Sequence, residues 1–174
     1  MPKASQAATA PSPKGQSASS GGESEATKSE DYSYIRADGR PAVIRLVSMA
    51  DSAASIEYWV EGQRLSEWQL RHPVFRFCCG DITGDSIPEI AVGVVKATRY
   101  SPEERNRLFL FKLFDEELIR PLWLSSRLSH RLIDFTLEPE GTVATEEQQL
   151  DGTMTRVRYR IGGFGLKFVE YIND

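Results

Sequence analysis

The chain has 174 residues, 40% of them apolar and 10% aromatic, and a formal net charge of −4. That is room for one folded domain with a real core, while the acidic balance and scattered basic residues exclude a nucleic-acid partner, which needs a basic stripe along the phosphate backbone. No apolar run approaches the roughly 20 residues of a membrane span, and the N-terminus carries no hydrophobic signal core.

From Met1 to Glu30 there is no Val, Ile, Leu, Phe, Tyr or Trp. Such a Ser, Ala, Gly, Lys and Glu mixture cannot bury enough surface to offset its ordering entropy. Residues 1–33 therefore read as a disordered tail or linker, and residues 34–174 as the folded domain. From Tyr34 onward the pattern alternates, or runs apolar, over strand lengths. The expected strands are Ala42–Met49, Ser55–Val60, Arg64–Leu70, Val74–Cys79, Glu89–Lys96, Leu108–Phe114, Ile119–Leu124, Leu132–Leu137, Thr142–Glu147, Met154–Ile161 and Leu166–Ile172. Turn signals separate them, including Glu61-Gly62, Gly84-Asp85, Asp115-Glu116 and Asp151-Gly152. One segment, Ser101–Arg107, reads as a helical turn: Ser101 can cap it, Pro102 suits its first position and Glu104 stands at capping-box spacing. The fold class is all-β.

Cys78 and Cys79 are adjacent, so on a strand they point to opposite faces and a bond between them would be strained. They read as free thiols, with Cys79 in the core. Trp68 and Trp123 each close a similar succession of aromatic strand, tight turn and Trp-bearing strand, about 55 residues apart, the size of one propeller blade.

The segment Gly80–Val94, GDITGDSIPEIAVGV, carries the most chemistry. Asp81, Thr83, Asp85 and Glu89 stand at positions one, three, five and nine of an oxygen-rich turn, and the carbonyl of Ile87 supplies a fifth oxygen. Alternate oxygens aimed at one point suit a hard cation such as Ca²⁺. The alternative is an Asx-type turn in which Asp81 and Asp85 accept nearby N–H groups.

This segment resembles the FG-GAP type of propeller repeat, whose acidic Ca²⁺ loop enters a strand ending in Ile/Val-Gly. The wider pattern, with Arg107–Phe111, Pro121–Leu128 and Tyr159–Gly165, is similar to extracytoplasmic proteins of the Bacteroidota. The resemblance implies a propeller-like or partial-propeller domain of two to three blade-like units, a weak structural Ca²⁺ loop, a cell-envelope location and no enzymatic chemistry. Thr83 stands where the repeat has a carboxylate, Ser86 where Gly would ease the turn, and Glu89 where the repeat has Asp.

Arg127, His130, Arg131 and Asp134 form a second constellation. The two arginines could grip a carboxylate or another polar ligand, and a protein or glycan partner fits that role. Two further readings stand beside a non-enzymatic binding or scaffolding domain. One is an envelope hydrolase of polysaccharides or esters, using Asp134 with His130 or Glu138. The other is a subunit that completes the sheet of a larger assembly through an exposed edge strand. Trp59, Trp68 and Trp123 read as core, and Gly162-Gly163-Phe164-Gly165 as a tight turn or bulge rather than a phosphate loop.

Overall fold

The computed structural model describes residues 27–49, 53–124, 128–162 and 165–173. Regular structure among them is entirely β. The strands are β1 (Lys28–Ile35), β2 (Pro41–Met49), β3 (Ala53–Val60), β4 (Gln63–Leu70), β5 (Val74–Gly80), β6 (Glu89–Thr98), β7 (Ser101–Phe114), β8 (Leu118–Leu124), β9 (Arg131–Glu138), β10 (Thr142–Gln148), β11 (Met154–Gly162) and β12 (Gly165–Ile172). They form three four-stranded antiparallel sheets taken up in chain order, β1–β4, β5–β8 and β9–β12. Each expected strand is present.

Two expectations fail locally. Residues 28–33, placed in the tail by composition, make up most of β1. β1 pairs with β2 along its length, Tyr32 and Tyr34 pack partly buried against the core, and the Asp31 carboxylate lies 2.7 Å from the Arg45 guanidinium across the pair. The helical turn at Ser101–Arg107 is instead the start of β7. There Ser101 pairs with Thr98 and Arg105 with Lys96, and the register shifts between them. Pro102 falls inside that irregularity, where its missing N–H removes no ladder bond. Cross-strand pairing thus overrides a helix signature that is local in origin.

The second sheet is the middle layer. Along β6, Glu89–Val94 are all buried, so the strand has no solvent face. Ile90, Val92 and Val94, with Phe109, Phe111 and Leu113 of β7, pack on Ile44, Leu46, Ile56 and Tyr58 of the first sheet. The alternate residues Ala91, Leu108 and Leu110 pack on Leu132, Phe135 and Val143 of the third. Trp68 belongs to the first interface, its ring 5.6 Å from Phe111, and Trp123 to the second. Cys79 faces the first sheet and Cys78 the third, as their adjacency requires. Burial lifts the Cys78 thiol to about 11 and Cys79 well above its ordinary value, so both are held protonated and inert.

A polar clamp fixes the first sheet on the second. The Arg36 side chain, only 8% exposed, reaches from the end of β1 to the β7–β8 turn, where its Nε lies 3.3 Å from a Glu116 carboxylate oxygen. It also donates to the Glu116 carbonyl at 3.2 Å and toward the Tyr58 hydroxyl at 3.4 Å. Against the third sheet the fit is steric. β9 lies across β5, β6 and β7, and Gly93 of β6 leaves room for two rings. A methyl group there would come within 2.5 Å of Phe75 and 2.9 Å of Phe135.

Gly93→Ala is therefore predicted to destabilise the fold by about 1–3 kcal/mol through overpacking, measured by urea unfolding. Adding Phe75→Leu, which shortens the nearer side chain, should restore part of the loss. An unchanged midpoint in Gly93→Ala would mean that the rings are not seated on β6.

Candidate functional site

The acidic turn between β5 and β6 is closed by its own hydrogen bonds. Asp81 Oδ1 accepts from Gly84 N–H at 2.6 Å and Asp85 N–H at 3.2 Å, and Oδ2 accepts from Ser86 N–H at 2.8 Å. Asp85 Oδ1 accepts from Ile87 N–H at 2.9 Å. Glu89, only 2% exposed, accepts from Ile82 N–H at 2.8 Å, Thr83 N–H at 3.2 Å and the Thr83 hydroxyl at 2.9 Å. Burial raises the pKa of Glu89, and the Ile82 and Thr83 donors oppose that shift. Gly84 and Ser86 both take left-handed φ, +81° and +67°, so Ser86 holds a conformation that suits glycine better.

Asp81, Thr83, Asp85, Ile87 and Glu89 are thus brought into one turn. The Thr83 hydroxyl donates to Glu89 Oε1, the Ile87 N–H is held by Asp85, and Glu89 Oε2 accepts from the Ile82 and Thr83 N–H groups. Among the described residues, no three His, Cys, Asp or Glu side chains converge as a metal site. As arranged, the Asp81 and Asp85 carboxylates make the hydrogen bonds of an Asx-type turn. The turn also abuts the β9–β10 turn: a Cβ on Gly141 would stand 3.0 Å from the Ile82 carbonyl oxygen.

The second constellation divides. Arg127 lies outside the described residues. Asp134, beside a register irregularity of β9, has its carboxylate 3.4 Å from the Nε of Arg76 on β5 of the second sheet. Glu138, also on β9, is gripped by Arg158 at 2.7 and 3.1 Å and accepts from the Thr142 hydroxyl at 2.5 Å, and the Arg158 guanidinium lowers its pKa. Four residues along one strand separate these carboxylates by about 13 Å, too far to flank one scissile bond. The His130 ring packs on Tyr171, with centroids 6.4 Å apart.

His130 and Arg131 instead enter a cleft of about 340 Å³ at the seam between β7 and β9. Its walls include Arg105, Asn106, Arg107, His130, Arg131 and Gln148, with Leu108, Trp123, Leu128, Leu132 and Leu150 as its apolar part. No carboxylate lines it. Glu103 stands at the rim, paired with Arg105 at 2.7 Å and acted on by Arg131. The Arg107 Nε is buried and has no hydrogen-bond partner among the described residues.

Glu147 positions the β9 wall of this cleft, and sequence reasoning missed it. Fully buried, it accepts His130 N–H at 2.6 Å, the Thr145 hydroxyl at 2.7 Å and the Tyr159 hydroxyl at 2.8 Å. The Tyr159 oxygen in turn accepts Ser129 N–H at 2.9 Å, and burial raises its pKa to about 12, so it stays a neutral donor. On the other wall, Asn106 Nδ2 donates to the Ile133 carbonyl at 3.2 Å and ties β7 to β9. A signal for Glu147 existed: it continues the inward alternation of Val143 and Thr145, which forces a carboxylate into the core side of β10.

The chain matches no protein-family model, no curated protein and no solved structure.

Because the acidic turn is closed by N–H donors, Asp81→Ala should cost about 2–3 kcal/mol with or without Ca²⁺. Adding about 10 mM Ca²⁺ after EDTA treatment should leave the wild-type Tm unchanged, since only binding to the native state can raise it. A Ca²⁺-dependent rise that disappears in Asp85→Ala would instead establish a metal loop.

Proposed function

We propose that this protein is a non-enzymatic binding module that takes an anionic ligand in the cleft between its second and third sheets. The observation that carries this reading is the wall chemistry. Arg105, Arg107, His130 and Arg131 gather around one concavity of a protein whose net charge is −4. Guanidinium groups recognise carboxylates and other oxyanions by charge-assisted, often bidentate, hydrogen bonds.

The dispersal of Asp134, His130 and Glu138 supports binding over hydrolysis, because no pair of them flanks a common point. Three successive four-stranded meanders stacked face to face support a propeller-like, partial-propeller arrangement. The FG-GAP resemblance of Gly80–Val94 supports a cell-envelope setting. No helix of the described residues is long and apolar enough to cross a membrane. In this reading the acidic turn is a strut: it braces the entrance to β6 and the neighbouring β9–β10 turn.

The test is differential scanning fluorimetry and calorimetric titration with N-acetylglutamate, D-glucuronate and inorganic phosphate. At low ionic strength at least one should raise the Tm of the wild type. The rise should shrink as salt at about 0.3 M shortens the screening length, and Arg131→Gln should abolish it while leaving the ligand-free Tm unchanged. Failure of all three anions to bind would contradict the proposal.

A further inference from the structure

Of the three tryptophans, Trp68 and Trp123 lie in the two inter-sheet cores and Trp59 lies in neither. The expectation that Trp59 belongs to the core fails because β3 turns Ile56, Tyr58 and Val60 toward the second sheet. Alternation then leaves Glu57 and Trp59 on the opposite face, with the indole only partly buried. Pairing places Trp59 directly across from Val43 of β2 on one side and Arg64 of β4 on the other. The next rank along the strands is Asp31, Arg45, Glu57 and Glu67. Every residue from Asp31 to Arg45 and from Glu57 to Glu67 is among those described.

The ring is held in one orientation. Its Nε1–H donates to Glu57 Oε2 at 2.8 Å, and Arg64 donates to the other Glu57 oxygen at 2.9 Å. Arg64 also lies 3.2 Å from Glu67, so it bridges two carboxylates that face each other across the strands. Arg45 donates to both Asp31 oxygens at 2.7 Å. Its guanidinium stands 5.7 Å from the indole centroid, and the indole keeps part of its surface in solvent beside it. Exposed ion pairs contribute little stability. Here they fix planar donors and acceptors around an aromatic surface.

That combination selects among occupants. Asp31, Glu57 and Glu67 outnumber Arg45 and Arg64, so an anionic ligand, a nucleic acid or an acidic lipid surface is repelled. A second copy or another protein would have to bury these charges, and the cores of such interfaces are depleted in them. A neutral saccharide meets neither objection. The C–H face of its ring packs on the indole, and each hydroxyl both donates and accepts, which suits interleaved guanidinium and carboxylate groups.

We infer that the outer face of the first sheet binds a neutral oligosaccharide, with one sugar ring packed on Trp59 and its hydroxyls on Arg45, Arg64 and Glu67. Because Asp31, Glu57 and Glu67 already hold the two guanidinium groups, little ordering is left for the moment of binding. The site is on a different sheet face from the anion cleft and does not depend on it.

The experiment is a ¹⁵N NMR titration of the full chain with cellopentaose, mannopentaose and chitopentaose, each taken to about 5 mM to reach weak affinities. At least one should give a saturable shift of the Trp59 indole N–H and of the amides around Val43–Arg45 and Glu57–Trp59. The shift should persist in about 0.3 M salt, because a neutral ligand has no charge to screen. Inorganic phosphate alone should leave the Trp59 resonance in place. Trp59→Ala should bind about tenfold more weakly, and Trp59→Tyr, which keeps an aromatic face, more tightly than Trp59→Ala. Should Trp59→Ala not fold, Arg64→Gln tests the same site and should weaken binding about threefold or more. No saturable shift with any of the three sugars, shifts centred away from Trp59, or undiminished binding by the folded variants would overturn the inference. A Trp59 shift that grows with protein concentration in the absence of sugar would make this face a self-association surface and overturn it too.

Discussion

The structure depends on burying the middle sheet on both faces. A strand presents alternate residues to opposite sides, so one that lies between two layers must be apolar, or satisfied, at every position. β6 meets that demand with Ile90, Ala91, Val92, Gly93 and Val94, and with a Glu89 whose oxygens are all engaged. Fully burying each Val or Ile contributes roughly 1.5–3 kcal/mol. The first and third sheets have no comparable double face: their outer sides carry ion pairs such as Arg45–Asp31, Arg64–Glu57 and Arg158–Glu138. Exposed pairs of that kind contribute little stability and instead keep the outer faces soluble.

Polar groups at the seams follow one rule. Arg36, Glu89 and Glu147 are buried or nearly so, and each is held by backbone groups of a turn or strand end rather than by a lone opposite charge. A buried ionisable group costs free energy unless its bonds are complete, so each one fixes the geometry of the segment that completes it. Glu147 fixes Ser129–His130, which is how a residue outside the cleft lining shapes the cleft. The Nε atoms of Arg36 and Arg107 depart from the rule: each is buried without a hydrogen-bond partner among the described residues.

Much of the fold was legible because strand signals are local. Alternation and turn residues located each strand from β2 to β12, and the Glu61-Gly62 turn forms with both residues at positive φ, 49° and 79°. β1 was not legible because it is held by pairing with β2 along its length and by Tyr32 and Tyr34 against the core, which composition does not register. Ser101–Arg107 misled because Ser-Pro-x-Glu satisfies helix capping locally, whereas pairing with β6 is non-local. The candidate site was half legible. His130 and Arg131 were readable as a basic pair, but Arg105 and Arg107 join them only because β9 crosses β7. Asp134 pairs instead with Arg76 of β5.

Hydrogen exchange measured across the whole chain tests the layered arrangement most directly. If the second sheet is buried on both faces, the amides of Ile90–Val94 exchange only through global unfolding and are the slowest in the protein. The edge strands β1 and β12, each with one partner and largely exposed side chains, exchange through local opening. Protection in β6 no greater than in β12 would contradict a central sheet enclosed by the other two.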